Sequence, residues 1–148
     1  MKMNIKLLAL LSLSFIAIFS SCKDKNNPSP EDQKKEELSG TWNIVGADVL
    51  DESLTGISIN FNIDNNTYSV TGLAAFTDAN LNHSEVFATD GDFILNADLD
   101  VVSLTPGGDL NIISINKETG DLTLNYSAPF PKSGDDSQTI TLSLEFQQ

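Results

Sequence analysis

Cysteine and histidine, the two side chains most versatile in catalysis and metal binding, each occur once in this sequence of 148 residues. Any histidine-assisted triad would have to use His83. This residue stands in the polar stretch Asn80-Leu-Asn-His-Ser84. Polar neighbours are typical of a solvated loop, so we predict a solvated loop histidine with no catalytic role.

Two pairs of aspartates, Asp90/Asp92 and Asp98/Asp100, are the candidate carboxylates. Residues two apart on a strand share a face, whereas glycoside hydrolysis needs carboxylates that flank a bond across a cleft. Calcium requires several oxygen ligands, and the sequence has no Asp-x-Asp-x-Asp-Gly loop. We therefore predict solvated turn residues, no catalytic residue, no metal site and no cofactor. The protein is not expected to be an enzyme.

The cysteine, Cys22, follows a start with Lys2 and Lys6, an apolar run from Leu7 to Phe19, and two serines. The run is shorter than the roughly 20 residues that cross a bilayer as a helix, so residues 1–21 are predicted to be a signal peptide. The letters FSSC resemble a bacterial lipobox, in which the thiol is lipidated and the chain is cleaved immediately before it. That resemblance implies a membrane anchor at Cys22. An ordinary signal peptide followed by a free thiol is the alternative.

The next segment, residues 22–37, is predicted to be a flexible polar tether. From Lys23 to Glu37 it contains no aliphatic or aromatic residue, and it carries charges of both signs and two prolines. Such a composition cannot join a hydrophobic core and favours disorder.

Residues 38–148 form one predicted domain of ordinary size for a single core. This part of the chain has 16 acidic residues against Lys117 and Lys132, and arginine is absent from the whole sequence. Nucleic acid is thereby excluded as a partner, because its phosphates need basic side chains. The acidic surface is interpreted as a device for solubility.

Apolar residues of this domain alternate with polar ones along eight segments, which predicts strands. The run Ile57–Ile63, the turn Asp64-Asn-Asn66 and the run Thr67–Val70 predict a hairpin. The alternation slips at Ile44-Val-Gly46, which predicts a β-bulge. Short connections favour antiparallel neighbours, and closure removes exposed edges. The predicted fold is an all-β, single antiparallel up-and-down barrel of about eight strands.

One connection is unusually long. From Leu73 to Gly91 the chain reads LAAFTDANLNHSEVFATDG. We expect either one or two short strands, around Leu73–Phe76 and Ser84–Ala88, or a lid or contact loop with Phe76, Leu81 and Phe87 as its apolar residues.

The domain begins with Leu38-Ser-Gly40-Thr-Trp42, which resembles the Gly-x-Trp opening of lipocalins and especially that of the short lipocalin-like lipoproteins of Bacteroidota. Asn65-Asn-Thr-Tyr68 is similar to a hairpin of those proteins. The resemblance implies a lipocalin-like barrel that binds ligands and is held in the outer membrane, on its periplasmic or cell-surface face. The arginine that packs across the lipocalin tryptophan has no counterpart in this chain.

The leading functional hypothesis is a carrier or sensor of a small apolar ligand. The rival is a non-catalytic interaction module that contacts an envelope protein or a glycan through its loops. An eight-stranded barrel is just wide enough to fill itself or to hold one small molecule, and large side chains on several strands favour a mostly filled interior. The candidate ligand-binding residues are Trp42, Ile59, Phe61, Tyr68, Phe76, Phe87, Leu124, Tyr126 and Leu142.

Overall fold

A computed structural model describes residues 27–47, 54–79, 81–130 and 138–148. Eight antiparallel strands form a closed barrel in which each strand pairs with its neighbours in sequence and the last pairs with the first. The strands are β1 (Gly40–Ala47), β2 (Ser58–Asn62), β3 (Thr67–Thr71), β4 (Phe87–Leu95), β5 (Val101–Gly107), β6 (Asp109–Asn116), β7 (Asp121–Phe130) and β8 (Gln138–Gln147). Within the described ranges two helices accompany them, α1 (Pro30–Leu38) and α2 (Ala74–Asp78). The predicted up-and-down barrel is confirmed.

Alternation along the strands separates an apolar interior from a polar exterior. In β7, for example, Leu122, Leu124 and Tyr126 are buried while Asp121 and Ser127 are exposed. Successive side chains on a strand point to opposite faces, so one face of every strand supplies the core.

The up-and-down course gives the barrel two distinct ends. We call "base" the end where β1 begins, which also holds α1 and the turns 64–66, 96–100 and 117–120. We call "upper end" the opposite one, which holds α2 and the β5–β6 turn. There the amide of Gly108 donates to the carbonyl of Val86 at 3.1 Å, so the segment after α2 lies against that turn.

Two local predictions are confirmed. The register of β1 against β8 shifts between Ile44 and Gly46, which is the expected bulge. The strands β2 and β3 pair from Ser58 opposite Thr71 to Asn62 opposite Thr67, with the predicted turn between them.

The prediction of a flexible tether up to residue 37 is wrong for its last part, because α1 occupies residues 30–38. Ser29 caps this helix: its hydroxyl accepts the amide of Asp32 at 3.1 Å, and the Asp32 carboxylate accepts the amide of Ser29 at 3.2 Å. Ion pairs one turn apart join Glu31 to Lys35 and Lys34 to Glu37. Such a capping box and such pairs stabilise a helix that has no apolar face.

The prediction of strands within 73–91 is also partly wrong. Residues 74–78 form α2 instead of a strand, and the second expected strand survives only as the start of β4 at Phe87. The register of β4 against β5 shifts between Phe87 and Asp92, so β4 is interrupted by an irregularity. That interruption hides the strand period in the sequence.

Candidate functional site

The nine side chains predicted to line a ligand site all lie inside the barrel. Their exposed fractions run from 0% to 4%. They are Trp42, Ile59, Phe61, Tyr68, Phe76, Phe87, Leu124, Tyr126 and Leu142. Together with other buried apolar residues they form one core cluster, so in the described part of the chain side chains fill the interior.

Trp42 closes the base. Its ring is 0% exposed, and its indole Nε1 donates to the carbonyl of Leu38 at 2.7 Å. The Leu38 side chain, at the end of α1, is itself fully buried. Because the one polar atom of the ring is bonded, Trp42 combines a large packing area with a satisfied donor.

α1 is held onto the base by polar contacts. Lys117 Nζ donates to the Glu36 carbonyl and to Ser39 Oγ, both at 2.6 Å. Gln148 Nε2 donates to the Ser39 carbonyl at 2.8 Å. A cation over the last carbonyls of a helix also complements the helix dipole. The base is therefore closed by packing, by hydrogen bonds and by charge.

The upper end is closed by four rings that we call the aromatic cluster: Phe76, His83, Phe87 and Tyr126. Phe76 stacks on Phe87 with ring centroids 5.5 Å apart and planes at 23°. Tyr126 meets both rings edge to face, at 6.4 Å from Phe76 and 5.6 Å from Phe87. The His83 ring lies 5.5 Å from Phe76. Phe76 is thus the central ring, and α2 carries it.

Two polar atoms of the aromatic cluster are buried without a hydrogen-bond partner among the described residues, namely Tyr126 Oη and His83 Nδ1. The Tyr126 side chain is only 1% exposed. Burial raises the pKa of its hydroxyl well above the ordinary value, so the group stays neutral. A buried hydroxyl without a partner is costly, and a ligand can remove that cost by supplying one.

The other tyrosine differs. Tyr68 is also buried, but its hydroxyl donates to the carbonyl of Pro106 in β5. Burial raises the pKa of Tyr68 as well, with a smaller opposing effect from the backbone of Ala88. Of the two tyrosines, only Tyr126 leaves a hydroxyl unbonded within the described residues.

The candidate catalytic groups do not assemble in the structure. Asp90, Asp92, Asp98 and Asp100 are exposed, as predicted, but Asp90 and Asp92 lie in β4, so the prediction that they are turn residues is wrong. His83 lies in a loop, as predicted, but it is only partly exposed, because its ring packs on Phe76; the prediction of a solvated side chain is wrong. Within the described ranges, no three side chains of metal-ligating type come together.

Two of the cavities that described residues line lie outside the barrel. The larger of the two, about 620 Å³, runs between α1 and Ile63 in the β2–β3 connection, and more of its wall is apolar than polar, although most of its lining residues are of polar types. The smaller, about 250 Å³, lies near the base on the outer side of β1, β7 and β8. Sequence patterning could not indicate the larger one, because it depends on α1.

Among the buried residues outside the predicted nine, Phe93 carries the aromatic ring that packs on a predicted one. This ring is fully buried and meets Phe61 edge to face at 5.2 Å. The alternation of Phe93 with Leu95 could have identified it.

Cys22 and the apolar run before it lie outside the described residues. Among the helices of the described part, none has the length and apolar character needed to cross a bilayer. Comparison with protein-family models and with curated proteins finds no match for this chain.

Proposed function

We propose that the chain is a lipoprotein, anchored in the outer membrane through Cys22, whose lipocalin-like barrel binds a small apolar ligand at its upper end. The aromatic cluster beneath α2 is the observation that carries the binding part of this proposal. The lipobox and the Gly-x-Trp opening support the anchor and the family resemblance.

As far as the described residues go, the closure of the upper end is small and apolar, which suits ligand binding. α2 has five residues and no side-chain hydrogen bond at its N-cap. Its main hold on the barrel is the buried ring of Phe76. When α2 moves and a ligand takes the place of Phe76, one aromatic contact replaces another. The free-energy cost is far lower than that of separating two paired strands.

A dye that fluoresces in apolar surroundings tests binding. Ala128 lies on the same inward face of β7 as Tyr126 and is 2% exposed, so Ala128→Leu fills space at the upper end. Ser127→Leu adds a similar bulk at the adjacent exposed position. We expect saturable binding by the wild type and by Ser127→Leu, and a loss of about tenfold or more in Ala128→Leu. Absence of dye binding by the folded wild-type protein overturns the proposal.

Anchoring has its own test. A fatty-acid analogue supplied to the producing bacterium should label the wild-type protein and leave Cys22→Ser unlabelled. Labelling that persists in Cys22→Ser contradicts the anchor, whatever the dye experiment shows.

An interaction module is the second candidate, and the outer surface favours it. Ile94 is 65% exposed and Ile113 is 58% exposed, on a surface that is otherwise mostly polar. Exposed apolar side chains of this size contribute to contacts between proteins. Capture of an envelope protein that is lost in Ile94→Ser or Ile113→Ser, together with no dye binding, supports this candidate over the first.

A further inference from the structure

We propose that the ligand presents an uncharged hydrogen-bond acceptor, such as a ketone, ester or amide oxygen, to Tyr126 Oη beneath α2. This inference rests on the proposed binding function and specifies the chemical class of the ligand.

The Tyr126 hydroxyl is the polar group most deeply placed in the aromatic cluster. It stands on β7 with Phe76 and Phe87 edge to face against its ring. Within the described residues this hydroxyl has no hydrogen-bond partner, although the Tyr126 side chain is only 1% exposed. A phenol both donates and accepts hydrogen bonds, but its O–H is a strong donor, so an acceptor is the partner that matches it best.

Charge selects among acceptors. The lysines that the structure describes, Lys34, Lys35 and Lys117, all belong to α1 or to a turn at the base. No described lysine therefore lies at the upper end, and the domain as a whole is strongly acidic. A buried carboxylate needs a compensating cation, whereas a carbonyl oxygen needs only a donor. Among the described residues of the upper end, an uncharged acceptor is therefore matched by the Tyr126 donor, whereas a carboxylate would lack a compensating cation.

Space for the ligand is made by Phe76. This ring stacks on Phe87 and touches Tyr126, so its withdrawal with α2 leaves a place beside the hydroxyl with the size and shape of a benzene ring. Gly72, with φ of +78°, precedes α2 and provides a backbone conformation that other residues rarely adopt. A ligand with a flat apolar group beside its acceptor oxygen would replace Phe76 most closely.

Three probes of matched size differ in their acceptor group: butylbenzene has none, butyrophenone has an uncharged ketone, and phenylbutyrate has a carboxylate. Each is used to displace the dye from the full-length wild-type protein, from Tyr126→Phe and from Ser127→Ala, which removes a hydroxyl from the adjacent exposed position of β7. We expect butyrophenone to bind the wild type about tenfold more tightly than butylbenzene, with phenylbutyrate weakest. In Tyr126→Phe the preference for the ketone should vanish, while in Ser127→Ala it should remain.

Equal binding of butylbenzene and butyrophenone by the wild type overturns the inference and leaves the binding function intact. Tightest binding of phenylbutyrate also overturns it, because it points to an anion site. If neither the dye nor any probe binds, the proposed function itself fails.

A measurement on the wild type alone covers the case in which Tyr126→Phe does not fold. The infrared carbonyl stretch of bound butyrophenone should move to lower frequency than in an alkane solvent, because a hydrogen bond from the phenol weakens the C=O bond. A bound ketone with the frequency of the alkane solution overturns the inference.

Discussion

The two ends of the barrel are closed in different ways. At the base, the indole donor of Trp42 is bonded to Leu38, and Lys117 bonds the last turn of α1. At the upper end, rings meet rings, and Tyr126 and His83 hold buried polar atoms without partners in the described part of the chain. Both ends exclude solvent from the core, but among the described residues only the base satisfies the polar groups that it buries.

This difference shows which end is built to stay shut. A closure made of packing plus satisfied hydrogen bonds loses both when it opens. A closure made of packing over an unbonded hydroxyl loses only the packing and regains hydrogen bonds to water. The upper end is therefore the weaker closure.

The largest effect is expected from Trp42→Ala. It removes the ring that fills the base, so the free energy of unfolding should fall by about 3–5 kcal/mol in a denaturant titration. Thr41→Ala, at the exposed neighbouring position, should change it by about 0.5 kcal/mol or less. A loss below about 1 kcal/mol in Trp42→Ala would show that the base does not depend on this ring.

Hydrogen exchange should rank the two ends directly. The Leu81 amide donates to Phe76 at 2.8 Å near the upper end, and the Phe93 amide donates to Asn66 at 2.9 Å near the base. Both side chains are 0% exposed. We expect Leu81 to exchange about 100-fold faster relative to its intrinsic rate, which corresponds to about 2.7 kcal/mol. Equal protection would mean that the ends open together.

The two tyrosines should respond with opposite signs. Tyr126→Phe removes an unbonded buried hydroxyl and should raise the free energy of unfolding by about 1 kcal/mol, whereas Tyr68→Phe removes a bonded one and should lower it by a similar amount. Thermal unfolding of both variants beside the wild type measures this. Destabilisation of equal size in both would mean that Tyr126 is as well bonded as Tyr68.

The difference in stability between the wild type and Tyr126→Phe should depend on pH. The pKa of Tyr126 is raised by burial, so the unfolded chain ionises this group first as pH rises above its ordinary value of 10.0. The stability that the neutral form provides is complete below pH 10.0 and is lost progressively above it. The advantage of Tyr126→Phe over the wild type should therefore grow in the alkaline range and stay constant near neutrality.

The smallest effect is expected at Lys117. Lys117→Gln weakens the contacts with Glu36 and Ser39 and should cost about 0.5–1 kcal/mol of unfolding free energy, with faster exchange of the Ser39 amide. Lys34→Gln is the control. It also removes one positive charge, but among the described residues the only polar contact that it breaks is an ion pair within α1. If both variants lose the same unfolding free energy, the lost charge accounts for the change, and the hydrogen bonds from Lys117 to Glu36 and Ser39 do not.

Much of the fold could be predicted from the sequence because alternation is a local property. Ile59 and Phe61, or Leu142 and Leu144, show their inward face without any knowledge of their neighbours. The number of strands and their short connections then leave few arrangements.

What escaped prediction depends on contacts between distant residues. The lack of apolar residues before Leu38 correctly excludes a core helix, but α1 forms through the Ser29 cap and is secured by Lys117, about 80 positions along the chain. The Ser-x-x-Asp spacing at Ser29 was the available signal. For the candidate site, the sequence indicated Phe76, Phe87 and Tyr126 as apolar contacts, but it could not show that they meet or that one hydroxyl among them lacks a partner.

The hydrogen bonds that hold α1 on the base would also determine how the protein is oriented on a membrane. In a chain anchored at Cys22, only seven residues separate the anchor from Pro30, a reach of about 25 Å at full extension and about half that of a tether running to residue 37. Because α1 is fastened to the base, the base would face the anchoring lipid and the upper end would face away from it. Such a protein would collect its ligand from the aqueous side and not from the bilayer that holds it.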